Sequence, residues 1–249
     1  MINCLFKSNF GIYGGGMHNC FGANPTLTNC EFIDNYAGTG GGMYNYGSSP
    51  LLTNCTFSGN STVSLGGGMF NDETSNPTFT KCIFSGNYAG QAGGGICNGD
   101  SSPTLTLCTF SDNTAEVNGG GMWGYQSDPL LTDCTFTGNS AFYGGGMYSR
   151  GGSPTLIGCS LRSNRAGGHG GGLYLGLGGP TLTDCEFSDN RADSGGAISI
   201  LDCYHPEVTF TNCTLTGNTA SSCGGGIECS DSNMVVTGCR LSGNVAIEG

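Results

Sequence analysis

The longest repeat of the chain, "GGAISILDCYHPEVTFTNC", gathers the groups best able to move a proton or hold a metal. Asp202, Cys203, Tyr204, His205 and Glu207 fall together here, and Glu228 and Asp231 follow one repeat later. Carboxylates beside an imidazole suit acid–base work. The polar cluster expected from this stretch is Asp202, His205, Glu207 and Glu228. The plainer expectation is a solvated loop. Cys203 and Cys229 occupy similar places in successive repeats, which makes them the candidate disulfide. A second constellation is Arg162, Arg165 and Arg191, with Asp189 and Asp193 nearby. No cofactor is expected. Ca2+ is the ion that acids of this kind would take, but no specific motif supports it. With no Cys-x-x-Cys, a cysteine metal centre is not expected either.

Composition narrows what such groups would serve. The chain has 249 residues, 48 of them Gly, and a net charge of −11 with only seven Lys plus Arg. A surface so acidic repels nucleic acid and offers no basic stripe. Hydrophobic residues make up 37% and recur at fixed places, which argues against disorder. No apolar run reaches membrane-spanning length, and no charged-then-apolar leader follows Met1. Membrane insertion of this segment is therefore not expected.

Fixed-period repetition dominates the rest. Cys4, Cys30, Cys55, Cys82, Cys108, Cys134, Cys159, Cys185, Cys213 and Cys239 are spaced by 25 to 28 residues. Five residues after each is Asn, and two after each is Phe or Leu. Three before each is an apolar residue, such as Leu27, Leu52 or Phe79. Cys and Phe two apart read as a strand. The apolar residue lies an odd number of places before the Cys, so a bend must separate the two. Asn, Asp or Gly usually stands at that bend, and these types tolerate a left-handed backbone. A third strand follows each glycine run, beginning at Met17, Met43, Met69, Ile96, Met122, Met147, Leu173, Ile198 or Ile227. Three short strands per turn of about 26 residues predict an all-β, right-handed parallel β-helix of nine to ten coils. The hand is taken from the usual crossover sense. The whole of residues 1–249 is expected to be this one domain, with the Asn stacked as an amide ladder.

If each Met faces inward, the next residue faces outward. Tyr44, Phe70, Trp123, Tyr148 and Tyr174 then form a candidate contact face, bordered by the glycine preceding each Met. Such a face would stack on sugar rings or a neighbouring molecule. Glycine equally permits tight corners, and aromatics suit strands anyway. Outward Thr pairs, such as Thr26 and Thr28, resemble the array of ice-binding β-solenoids, but Leu51, Leu130 and Ile157 break it.

Phe-x-x-Asn, seen here as "FIDN", "FSGN", "FSDN" and "FTGN", pairs with "GGAI" at Gly195–Ile198. Together they resemble the repeats of the polymorphic outer-membrane proteins, best known from chlamydial autotransporter adhesins. The resemblance covers nearly the whole chain. It implies an extracellular or cell-surface passenger with an adhesive role. The expected function is therefore a non-catalytic stalk, adhesin or filament. Its partners would be further copies of itself, and a glycan or host-surface ligand. Neither end carries a polar cap, so an excerpt of a longer array, or ends covered by another copy, is expected. The competing expectation is a polysaccharide-binding or lyase-like protein. Its cleft would lie at the Arg162–Arg191 edge or at the His205 loop.

Overall fold

The computed structural model describes residues 1–204 and 207–247. His205 therefore lies outside the described residues. Among the described residues there is no helix, and four parallel sheets of ten, ten, nine and nine strands run along one axis. The second full coil shows the plan. Its strands are Thr26–Thr28, Glu31–Ile33, Tyr36–Thr39 and Met43–Tyr46. One left-handed residue stands at each corner: Asn29 (φ 52°), Asp34 (φ 54°), Gly40 (φ 67°) and Gly47 (φ 57°). The bend expected before the Cys is one of these four. Lys81 (φ 54°) and Leu107 (φ 55°) adopt it despite their side chains. Their neighbours in paired strands hold them there, against roughly 1–2 kcal/mol of steric cost.

Each coil thus has four strands, where the sequence pattern predicts three. The missed strand follows the Phe-x-x-Asn motif and is often two residues long, as in Tyr88–Ala89 and Thr114–Ala115. Its inward residue is small, with Ala89, Ala115 and Ala141 forming their own buried cluster. Two residues with one alanine leave almost no period-two signal.

Pairing is in register from coil to coil. Leu27 pairs with Leu52, Leu52 with Phe79, and Phe79 with Leu105. Identical inward residues consequently stack along the axis. The Phe32 and Phe57 rings lie 4.5 Å apart and 3° from parallel, and Phe110 and Phe136 repeat this at 4.5 Å and 2°. Leu27, Cys30, Phe32 and Met43 are fully buried, as are their counterparts up to Phe210, Cys213 and Leu215; in the last coil Val236 and Leu241 are exposed. Each ladder thiol turns to a carbonyl two residues earlier, such as Cys55 Sγ to Thr53 O at 3.5 Å.

The three glycines of each run have different reasons. Gly40 supplies the left-handed corner. A Cβ on Gly41 would strike the carbonyl oxygens of Ser61 and Gly67 in the next coil. A Cβ on Gly42 would lie 3.0 Å from the Phe57 ring. This third glycine therefore faces the core, not the outer surface expected for it.

A second amide ladder was not read from the sequence. Asn19 donates to Asn45, Asn45 to Asn71, and Asn71 to Asn98, each at 2.8 Å. It stops at Gly124, which pairs with Asn98 and has no side chain to continue it.

Candidate functional site

The aromatic column lands where the Met-strand register puts it, but most of it is covered. Tyr44, Phe70 and Tyr148 are each 7% exposed, while Trp123 and Tyr174 are half-buried. Tyr44 stacks on Phe70 at 5.3 Å, and Tyr148 on Tyr174 at 4.6 Å and 4°. Tyr44, Phe70 and Cys97 form a small second core with Tyr46, Leu65 and Trp123 against it. The expected open aromatic face is thus largely an internal seam outside the main core. The glycine corner causes this, because it folds the preceding segment back over the strand. Gly40 lies so close that a Cβ there would be 2.9 Å from the Tyr44 Cβ. Burial first, then Asp72, pushes the Tyr44 hydroxyl well above its ordinary value. Its O–H donates to Asp72 Oδ2 at 3.1 Å. Burial, with Tyr148 beside it, pushes Tyr174 up to about 12.

Toward the end of the column, Ser199 and Glu228 replace the aromatics. Glu228 Oε2 accepts from Ser199 Oγ at 2.8 Å and lies 2.9 Å from His169 Nδ1. His169 also stacks on Tyr143 at 5.8 Å. Glu228 is thereby drawn to His169, 59 residues away, and not into a cluster with Asp202 and Glu207. Asp202 and Glu207 are exposed, with Asp202 itself a left-handed corner (φ 56°). The His169 contact carries no local sequence signal. Alignment of successive coils brings it out, because His169 precedes the glycine run two coils before Glu228. The carboxylate stands between hydroxyl and imidazole, so no serine–histidine nucleophile pair is built.

The expected Cys203–Cys229 bond is not formed. Cys203 is buried, and its backbone N–H donates to Ser232 Oγ at 2.9 Å. Cys229 is exposed and pairs in register with Ile200. They sit in different columns, which is why similar places in the repeat do not bring them together. Burial pushes the Cys97 and Cys203 thiols above the ordinary value. No group of three or more His, Cys, Asp or Glu able to hold a metal is found among the described residues.

The arginine edge does come together. Arg165 and Arg191 pair directly in adjacent coils of the short-strand sheet. They line an open groove of about 350 Å3 with Gly167, Asp193, Thr219 and Ser221. Asp193 Oδ1 accepts from Ser221 Oγ at 2.6 Å. Among the described residues the one ion pair is His169–Glu228, so neither guanidinium has a carboxylate within salt-bridge distance. Arg162 belongs to the Phe sheet, across the Ser163 corner, and does not line the groove.

The Thr pairs also align. Thr28, Thr53, Thr80, Thr106 and Thr132 form one outer file as far as Ile157. The parallel file is interrupted at Leu51 and Leu130.

Four parallel sheets wound about one axis define a parallel β-helix protein. A family model described as right handed beta helix region matches residues 1–128 and again 92–245. The chain belongs to this family, which gives the sense of winding as right-handed. No curated protein matches the sequence. Among solved structures, the chain is similar to that of the TibC-catalyzed hyper-glycosylated TibA55-350 fragment. Identity is 15%, coverage is 96% of this chain and 100% of that one, and the TM-score is 0.26.

Proposed function

We propose that this chain is a non-catalytic structural or adhesive shaft, displayed at the cell surface or secreted. One observation carries the reading: its buried asparagines are spent on axial contacts. Asn35, Asn60, Asn87, Asn113, Asn139, Asn164, Asn190 and Asn218 are buried and hydrogen-bonded coil to coil. The interior therefore builds a stiff rod, at about 4.8 Å per coil, and leaves function to its repeated outer surface. Any lateral contact made by one coil recurs along the axis. Open parallel sheets also accept further coils or copies end to end. A stalk or filament of the polymorphic outer-membrane protein type fits this construction. Electron microscopy of the native material, with a cell-adhesion assay, tests it. Rods or fibres that adhere support the reading; a monodisperse monomer without adhesion overturns it.

A polysaccharide-degrading reading has one observation in its favour, the groove holding Arg165, Arg191 and Asp193. Turnover of an acidic glycan separates the two readings.

A further inference from the structure

The geometry points to an acidic-saccharide subsite in the groove between Arg165 and Arg191. This stands on the groove itself, whether or not the shaft is displayed on a surface.

Like charges directly opposite in neighbouring strands repel. Here two of the seven cations of a chain with net charge −11 face each other across adjacent coils. Their file otherwise holds uncharged residues, running Tyr88, Thr114, Ser140, Arg165, Arg191, Thr219 and Val245. The nearby acid, Asp193, is bonded to Ser221 and forms no ion pair with either arginine. No described residue supplies a counter-charge, and an oxyanion between the guanidinium forks would do so, with the planar multi-donor geometry arginine offers carboxylate or sulfate.

The rest of the lining is mixed and suits a sugar ring, with Ala166, Ala192 and Ile247 giving apolar contact. Thr219 and Ser221 offer hydroxyl oxygens beside the arginines, Ser221 donating its proton to Asp193. Gly167 has no side chain to crowd the ring beside it. The exposed Phe142 ring leans against it, 3.1 Å from where a Gly167 Cβ would stand. A charged group at the arginines, hydroxyls along the groove and an apolar ring at one side match a uronate or a sulfated sugar.

Calorimetric titration of the purified chain in about 0.1 M salt tests this, since screening there confines attraction to about 10 Å. The probes are an oligogalacturonate, a heparin-derived oligosaccharide, a maltooligosaccharide and sodium sulfate. The expected result is saturable binding of at least one acidic oligosaccharide and none of the neutral one. The two acidic probes distinguish carboxylate from sulfate recognition. Arg165→Gln with Arg191→Gln should weaken that binding at least about tenfold, the scale of a lost charged hydrogen bond. Arg162→Gln should leave it unchanged. Asp193→Asn removes a negative charge from the groove and should tighten it. All four positions are exposed, and an unchanged circular dichroism spectrum checks the fold. Acidic and neutral sugars binding alike, an unaffected double variant, or sodium sulfate binding as tightly as the oligosaccharides would overturn the assignment.

Discussion

Asn113 and Asn139 are joined twice: the backbone N–H and the side-chain N–H of Asn113 both donate to Asn139 Oδ1, at 3.0 and 2.9 Å. Asn139 then donates from Nδ2 to Asn164 Oδ1 and to Phe110 O, both at 3.0 Å. Every hydrogen-bonding valence of this buried amide is used. Only an amide supplies acceptor and donor at this place, which accounts for an Asn in each repeat.

Asn139→Ala is expected to cost on the order of 3 kcal/mol, because it leaves buried donors and a carbonyl without partners. Phe136→Ala, which opens a gap in the ring stack, should cost roughly 3–5 kcal/mol. Denaturant midpoints measure both. Values below about 1 kcal/mol at both sites would contradict the packing described.

Two glycine substitutions separate steric from conformational need. A Cβ on Gly145 would collide with the carbonyl oxygens of Arg165 and Gly171 in the next coil. Gly86 is left-handed (φ 60°) with nothing within 4 Å of its would-be Cβ. Gly86→Ala should cost about 1–2 kcal/mol, the price of a left-handed non-glycine residue. Gly145→Ala should cost clearly more or prevent folding. Equal thermal midpoints would contradict the close coil contact.

Thiol labelling of the native protein should proceed in classes. Cys223 and Cys229 are exposed and should react first. Cys82, Cys108, Cys134 and Cys159 are buried and should react only after unfolding. Mass-spectrometric mapping after a short reaction checks the order, and early labelling of Cys134 would contradict it.

Alkaline pH should destabilise the fold through the covered tyrosines. Tyr174 titrates near 12 when folded and near 10 when unfolded, so between these values the unfolded state has lost a proton that the folded state keeps. Its stabilising contribution is complete below about pH 10 and falls as pH rises toward about 12. Tyr44 shifts in the same direction. Tyr174→Phe should make stability fall less steeply over this window. An unchanged slope would show that Tyr174 is solvated.

The legible features were those that repeat with a large side chain. Cys, Phe, Leu and Met at fixed spacing gave three strands, the β-helix and the Asn ladder. The fourth strand escaped because Ala89 and Ala115 are too small to mark it. The fate of the aromatic column was not legible either. Alternation places Tyr44 on the outer side of its strand, but what covers it depends on the path of the corner at Gly40. The arginine edge was visible as a sequence neighbourhood. That Arg165 and Arg191 share a groove while Arg162 does not follows from a corner at Ser163, one of the left-handed positions the pattern had not marked. His169 and Glu228 meet across two coils, and no local motif announces such a pair.

The claim that this chain binds and does not convert is tested most directly by the release of reducing ends from polygalacturonate and alginate. Prolonged incubation with the purified protein, with and without added Ca2+, should yield no more than the buffer alone. Sustained release that disappears in Arg165→Ala would contradict the account and make the groove a catalytic centre.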